Sequence, residues 1–303
     1  MRLTLTGATG PIGRRLVAAL TRRGDDVTVL SRDARRAREA LGVEAHDWDL
    51  MAGPAPVAAL AGRDAVIHLA GETVAQRWTD EARRRIHESR ETGTRHLVTG
   101  LRALGEADRP RVLASASAVG YYGEHGDERL DESTPPGDDF LARVCVAWEH
   151  EASAAEALGV RVARVRTGVM LDRSGGALAK MLPFFRLGIG GPVAGGRQYL
   201  PWVHVDDVVG LYVAAVSGDA WSGPVNGSAP EPVTNKAFSR ALGRALHRPA
   251  VAPVPGAAVR LLYGQMAAIV VEGQRAVPAR PLALGFAFRH PDLGEALIDA
   301  LRG

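Results

Sequence analysis

The chain has 303 residues, 46% hydrophobic and 23% charged, with a net charge of only +3 from 37 basic and 34 acidic residues. That length and balance specify a folded globular protein of one large or two closely joined domains and exclude a disordered or fibrous chain. No apolar run approaches the roughly 20 residues of a membrane helix, and a single cysteine, Cys145, rules out an internal disulfide.

The N-terminal MRLTLTGATG reaches a glycine turn within a few residues and leaves no room for a secretory signal, so a cytoplasmic location is expected. Apart from Lys180 and Lys236, every basic residue is arginine, and stretches such as DEARRRIHESRE (80–91) mix arginines with acids as on a solvated helix face. No clustered basic face with interleaved aromatics stands out, so neither nucleic acid nor membrane is an expected partner.

In chain order, Arg2–Thr6 is a short apolar strand, GATGPIG follows, and RRLVAALTRRG has helical spacing up to Gly24. Further strands are predicted at Asp26–Leu30, before Asp49, at Asp64–Leu69, at Arg111–Ser115 and at Val160–Val165. Helices are predicted over Thr79–Leu104 and Phe140–Leu158. Strands alternating with helices predict an α/β fold with a doubly wound, parallel Rossmann-type sheet. After about residue 170 the rhythm changes. Gly188–Gly196 reads as a flexible loop, followed by a strand at Tyr199–Val205 and helices at Asp207–Ser217, Asn235–Leu246, Gly256–Ile269 and Leu293–Leu301. The expected layout is a Rossmann domain over 1–170 and a smaller α+β C-terminal lobe over 171–303, capping the sheet's carboxyl edge.

Gly7, Gly10 and Gly13 stand between the first strand and first helix, with Thr9, Pro11 and Ile12 completing the loop. The first glycine permits the tight turn, the second admits a pyrophosphate close to the backbone, and the third lets helix and strand pack. The helix N-terminus then offers free N–H groups to the phosphates. An NAD site usually ends its second strand with an acid, but here Ser31 and Arg32 follow, with Arg35 and Arg36 nearby. A hydroxyl and a guanidinium suit a 2′-phosphate, so NADP is the expected cofactor. Leu69, Ala70 and Gly71, after the fourth strand, would pass beside the adenosine ribose. Asp49 is open to two readings, an acceptor for the adenine amino group or a loop carboxylate.

With these pieces placed, the chain resembles the extended short-chain dehydrogenase/reductases. More narrowly it resembles an epimerase-like family with a C-terminal domain of unknown function, here including 248–301. The likeness rests on TGATGPIG (6–13), HLAGE (68–72), RWTDEARRRIHESR (77–90), SASAVGYYG (115–123), FLARVCVAWE (140–149), GGALAKMLPFFRLGIGGPVAGGRQYLPWVHVDD (175–207), PVNGSAPEPVTNKAF (224–238), RPAVAPVP (248–255) and EGQRAVPARPLALGFAFRHP (272–291), covering nearly the whole chain. It implies an NADP-type cofactor and a lobe closing over a small-molecule substrate. It also implies a catalytic Tyr with a Lys four residues on, and a Ser, here Ser115 or Ser117, positioning the reacting oxygen. Alignment on Glu149 puts Leu141 at the Tyr position and Cys145 at the Lys position, and no Tyr-x-x-x-Lys occurs anywhere in the sequence. By analogy, a homodimer would form through Thr79–Leu104 and Phe140–Leu158.

Leu donates no proton and a thiol supplies no fixed positive charge, so any acid must come from elsewhere. Tyr121 and Tyr122 follow the fifth strand at the edge where ligands bind in such sheets, with Ser117 as a partner; each tyrosine could equally pack under the loop. Glu124 and His125 sit in a polar loop. Arg197, Trp202 and His204 form a second cluster, in which Arg197 could grip an anion and His204 could exchange protons, or His204 could be a strand core residue with Asp206 or Asp207 capping the next helix. Lys180, with Met181, Phe184 and Phe185, could line the pocket. The nine histidines are scattered without ligand spacing, so no metal is expected. Two functional classes remain: an NADP-dependent oxidoreductase or epimerase-like enzyme, and a non-catalytic NADP(H)-binding sensor.

Overall fold

Leu3, Thr4, Leu5 and Thr6 are all buried, so the first strand has no solvent face, which is the signature of a parallel sheet covered on both sides. In this computed structural model, which describes residues 1–302, seven such strands form one sheet. They are β1 (Arg2–Thr6), β2 (Asp26–Ser31), β3 (Glu44–Asp47), β4 (Ala65–His68), β5 (Val112–Ala118), β6 (Arg161–Thr167) and β7 (Gly223–Gly227). All pair in parallel, in the order β3-β2-β1-β4-β5-β6-β7, with Leu3 opposite Val27 on one side and Ala65 on the other. Order reverses beside β1, so the crevice at the switch point opens between the carboxyl ends of β1 and β4.

Helices α1 (Pro11–Arg22) and α2 (Ala34–Leu41) follow the first two strands, and α3 (Asp80–Arg102) and α4 (Phe140–Ser153) flank β5. Leu16, Val17 and Leu20 of α1 share one core with Leu5 and Val27; Leu97 and Leu101 of α3 share a second with Val66 and Leu113 on the opposite face. Thr79 and Asp139 cap α3 and α4, accepting from the amides of Ala82 and Ala142. The predicted helix over Phe140–Leu158 stops at Ser153 and tightens into a 3₁₀ turn at Glu156–Leu158.

The smaller lobe is built from α5 (Gly176–Arg186), α6 (Val205–Ser217), α7 (Asn235–Ala245), α8 (Gly256–Tyr263) and α9 (Leu293–Arg302), although α6 returns to the sheet, where Leu211 and Tyr212 join the core of α1. The sheet thus draws β7 and its covering helix α6 from beyond residue 170. β7 reads GPVNG, with no apolar run to mark it as a strand, and its pairing of Val225 with Val165 is what defines it. The predicted helix Gly256–Ile269 breaks at Gly264, which takes φ +60°. The Gly188–Gly196 loop is tied down rather than loose: Ala194 N donates to Val254 O at 3.0 Å and Val254 N to Pro192 O at 2.9 Å.

Two polar contacts fix the edges of this frame. Asp207 accepts from the backbone amides of Arg289 (2.7 Å) and His290 (3.1 Å), fastening the chain just before α9 to the start of α6. Replacing it, Asp207→Ala, leaves two amides without their charged acceptor. The expected cost is about 2 kcal/mol, seen as a lower unfolding midpoint and as earlier proteolysis around 286–292.

His68, fully buried at the end of β4, lies 2.7 Å from Thr6 Oγ1 and 3.1 Å from Thr94 Oγ1. The Thr6 hydroxyl already accepts from the amides of Leu69 and Ala70, so its own proton goes to His68 Nδ1, and the ring's Nε2–H points to Thr94. Burial, aided by the charge of Arg90, pushes the imidazole down to about 4. An unfolded histidine binds its proton near pH 6.5, so the unfolded state holds more protons between those values. Stability is therefore complete above about pH 6.5 and declines on acidification until about pH 4, by on the order of 3 kcal/mol. His68→Asn should flatten that limb of the pH–stability curve in chemical denaturation.

Candidate functional site

The glycine turn is shaped by the absence of side chains. Gly7 takes φ +70°, and a Cβ there would lie 2.8 Å from the backbone of both Leu69 and Ala70. A Cβ on Gly13 would fall 2.4 Å from Gly7 O and 2.5 Å from Ala8 Cα, inside the contact limit of any atom pair. Gly10 N closes the turn onto Gly7 O at 3.1 Å, and Gly10 then serves as N-cap without any side chain to bond the first helical amides. Pro11 has no N–H to lose, while the amides of Ile12 and Gly13 have no intrahelical acceptor. These two donors and the positive end of α1 are an anion site that a pyrophosphate fits. Thr9 lies exposed on the turn, and its carbonyl is held by Arg14 Nε at 2.9 Å. Gly175, at the start of α5, abuts the Pro11 ring, so the smaller lobe begins directly over this helix end.

At the end of β2 two acids are nearby and both are committed: Asp47, opposite Ser31 on β3, accepts from Ala34 N at 2.8 Å. Asp33 caps α2, accepting from Arg36 N at 2.8 Å, while its own amide donates to Ser31 Oγ. Arg32, Arg35 and Arg36 are exposed, and none forms an ion pair among the described residues. A phosphate placed at Ser31 would meet guanidinium groups and no free carboxylate. Asp49 engages its own turn, accepting from Met51 N at 2.9 Å.

The sites of the missing pair are apolar or neutral. Leu141 is half-buried against Gly120, and Cys145 is buried with its thiol pushed up to about 12, first by burial and then by the charge of Glu149. The nearest arginine influence on that thiol is Arg90 of α3, which donates to Glu72 O at 2.9 Å and lies 4.8 Å from the Trp148 ring centre. Gly71 is packed against the Arg90 guanidinium: a Cβ there would sit 3.3 Å from its Cζ. Fixed positive charge beside the thiol therefore comes from Arg90 of α3 and Arg166 of β6, not from α4.

The proposed replacement donors are mostly occupied elsewhere. Ser117 donates to Glu149 Oε1 at 2.7 Å, and Glu149 is held by Arg166 through Nε (2.8 Å) and Nη2 (2.9 Å). The Tyr122 hydroxyl donates to Asn226 Oδ1 at 2.7 Å and accepts from Arg166 Nη1 at 2.9 Å. Tyr122 has no solvent exposure, and burial pushes its phenol up to about 12. Neither Ser117 nor Tyr122 presents its hydroxyl to a ligand. Tyr121 is half-buried with the Arg166 guanidinium 3.4 Å from its ring centre, and its hydroxyl has no hydrogen-bond partner among the described residues. Ser115 lies buried on β5, its hydroxyl bonding to Ala116 O.

The second cluster is dispersed. Trp202 is a core residue beside Leu171 and Phe238, its Nε1 bonded to Glu231 O at 3.0 Å. His204 is 2% exposed and is itself the N-cap of α6, Nδ1 accepting from Asp206 N, so the cap is neither aspartate. Neither lines the cavity beside Leu141. Arg197 is exposed and unpaired, and Lys180 donates to Ala75 O at 2.6 Å, tying α5 to the segment that follows β4. Phe185 belongs to the lobe's core and Phe184 faces solvent. The fold does bring His204, Asp206, His290 and Asp299 within 4.8 Å of one another. Because His204 Nδ1 accepts a backbone N–H, its proton is on Nε2, which lies 3.3 Å from Asp299 Oδ2. That is a histidine–carboxylate contact, with no free lone pair on the ring for a metal.

A cavity of about 570 Å³ opens where Leu141 stands. Trp78, Gly120, Asp139, Phe140 and Leu141 form the Rossmann-side wall; Arg260, Gln265, Ile269, Glu272 and Gln274 form the other. Of its two carboxylates, Asp139 is bound to the amide of Ala142. Glu272 is free to take part in acid–base chemistry, and its carboxyl is raised above the usual range by burial and then by the charges of Glu124 and Asp139. No local sequence pattern singles out Arg260, Glu272 or Gln274. Their only signal was membership of EGQRAVPARPLALGFAFRHP and its neighbourhood, since nothing local links residue 272 to residue 141.

A family model described as the NAD dependent epimerase/dehydratase family matches residues 3–224, and a second, Domain of unknown function (DUF1731), matches residues 254–300. The chain is 40% identical over 298 residues to the Arabidopsis thaliana "Epimerase family protein SDR39U1 homolog, chloroplastic", covering 98% of this chain and 86% of that one. It is 37% identical to the Bacillus subtilis epimerase family protein YfhF, covering 98% and 97%. A crystal structure of human epimerase family protein SDR39U1 (isoform2) with NADPH superposes over the full length of both chains at TM-score 0.87 and 34% identity. The turn at Gly7–Gly13, the sheet order and the matched lobe agree with these relationships: the chain belongs to the NAD dependent epimerase/dehydratase family.

Proposed function

We propose that this protein is an NADP(H)-dependent oxidoreductase acting on a small carbonyl or hydroxyl compound held between the sheet edge and the smaller lobe. The carrying observation is the cradle at α1, where Gly7 and Gly13 leave no space for a Cβ and two amides stand unpaired. Gly7, Thr9, Gly10, Pro11, Ile12 and Gly13 would hold the pyrophosphate. Ser31 and Arg32 would take the 2′-phosphate, Leu69, Ala70 and Gly71 the adenosine ribose, and Ser115 the nicotinamide side. The solved human relative with NADPH supports the choice of cofactor. When bound, the nicotinamide supplies or accepts a hydride.

The proton is the task left to this chain. Glu272 is the cavity carboxyl that is not bound to a backbone amide, and burial with the nearby charges of Glu124 and Asp139 raises its proton affinity, in the direction an acid needs. In reduction it gives the proton from its carboxyl oxygen to the substrate oxygen, forming O–H as the carbonyl carbon gains hydride; in oxidation it takes that proton back. Arg260 and Gln274 line the same cavity and can orient the oxygen. A second reading, a non-catalytic NADP(H)-binding sensor, is favoured by the neutral Leu141–Cys145 positions.

Cofactor choice is read by thermal unfolding. NADPH should raise the melting temperature more than NADH, and Arg32→Asp should reverse that order; equal shifts for the two nucleotides in the wild type would refute the NADP assignment. Chemistry is read by NADPH oxidation across a panel of small aldehydes and ketones. The rate should fall as pH rises through the titration of Glu272, and Glu272→Gln should cost about 100-fold in kcat while leaving the NADPH-induced melting shift intact. A melting shift with no oxidation anywhere on the panel would favour the sensor.

A further inference from the structure

We propose that the smaller lobe docks on an anionic lipid bilayer, through the surface made by the end of α5, residues 247–251 and α8. Two stretches, 173–205 and 232–271, contain no Asp or Glu, yet they hold nine Lys and Arg, including both lysines of the chain. None of these nine forms an ion pair among the described residues. Some arginines of the Rossmann body do, as in Arg95–Glu151 at 2.7 Å, Arg85–Glu81 at 2.6 Å and Arg166–Glu149 at 2.8 Å. The charge of these two stretches is thus single-signed.

More than half of the large apolar side chains left exposed by folding fall in the same two stretches. Leu187 is 74% exposed, Val251 81% and Leu261 82%, with Ile189 and Leu262 beside them. Contacts join the segments into one region. Arg248 Nε donates to Arg186 O at 3.1 Å, Gly188 abuts Pro249, Val193 bridges to Val254, and Gly256 abuts Ala194. Scattered apolar residues are ordinary on a protein surface, but aliphatic side chains grouped among unpaired cations mark an interface.

A bilayer meets both halves of that pattern. Leu187, Ile189 and Val251 would enter the headgroup–acyl boundary, while Arg186 and Arg248 stay at the level of the lipid phosphates. A nucleic acid would answer the charge and give nothing to the aliphatic groups, because bases bind by stacking on aromatic rings. That no helix of the described chain is long and apolar enough to cross a membrane bears only on spanning; peripheral docking needs no span. Arg260 and Ile269 also line the cavity, so the cavity wall is continuous with this surface.

The test is cosedimentation of the full chain with vesicles of phosphatidylcholine alone or mixed with phosphatidylglycerol. Protein should pellet with the mixed vesicles and stay in solution with phosphatidylcholine, and added salt should weaken binding. The double substitution Leu187→Glu and Val251→Glu, at exposed positions where the melting temperature should not change, should lower the bound fraction about tenfold. The proposal is overturned if the mixed vesicles do not pellet the protein or pellet it no better than phosphatidylcholine. Unchanged binding of the double variant, or retention on duplex DNA in place of vesicles, would also overturn it.

Discussion

A buried guanidinium organises the carboxyl edge of the sheet. Arg166, 3% exposed on β6, reaches Glu149 of α4 through two nitrogens, the Tyr122 hydroxyl through a third, and covers the Tyr121 ring with its face. Glu149 in turn receives Ser117 from β5, and Tyr122 gives its proton to Asn226 on β7. Three strands, a helix and the turn after β5 thus meet on one ion pair. Taking both charges from water is expensive, and that cost is offset by the hydrogen bonds that each nitrogen of Arg166 and each carboxylate oxygen of Glu149 makes. Loss of either member would leave a buried charge uncompensated, at a cost of about 3–5 kcal/mol.

That network also decides where chemistry can occur. In the wider superfamily the edge beside β5 carries the acid; here its serine and one of its tyrosines are structural, and the Tyr and Lys positions hold Leu141 and Cys145. The thiol, pushed up to about 12, stays neutral at any ordinary pH. Apart from Asp139, which is bound to the amide of Ala142, the charged groups at the cavity come from the other side, from Arg260 and Glu272 of the C-terminal segment.

The Rossmann sheet was legible because its signals are local: apolar strand runs, caps such as Thr79, and glycines whose spacing reports a turn within one βαβ unit. Five of the first six strands and the α1 cradle follow from such signals, while β3, which reads EAHD, has no apolar run of its own. β7 was not legible, because GPVNG is strand only through its pairing with β6. Trp202 and His204 looked like pocket residues, because aromatic and titratable side chains near a loop carry the same local pattern in a core as in a site. Their partners, Glu231 O and Asp299, lie 29 and 95 positions away in sequence. Leu141 and Cys145, by contrast, were visible as departures from a family pattern, and the structure explains how they are accommodated.

Charge is distributed in keeping with this division. Some arginines of the body, such as Arg95 and Arg166, are held in ion pairs, whereas at Ser31–Arg36 Asp33 is turned to the helix and the guanidinium groups form no ion pair among the described residues. The lobe leaves its cations unpaired on the far side of the cleft, Lys180 tethered by a carbonyl and Arg197 by nothing. A dinucleotide with an extra phosphate carries several negative charges, and the unpaired guanidinium groups after β2 and the positive end of α1 answer them. A net charge of only +3 conceals this, because the sum over the chain says nothing about which charges already have a partner.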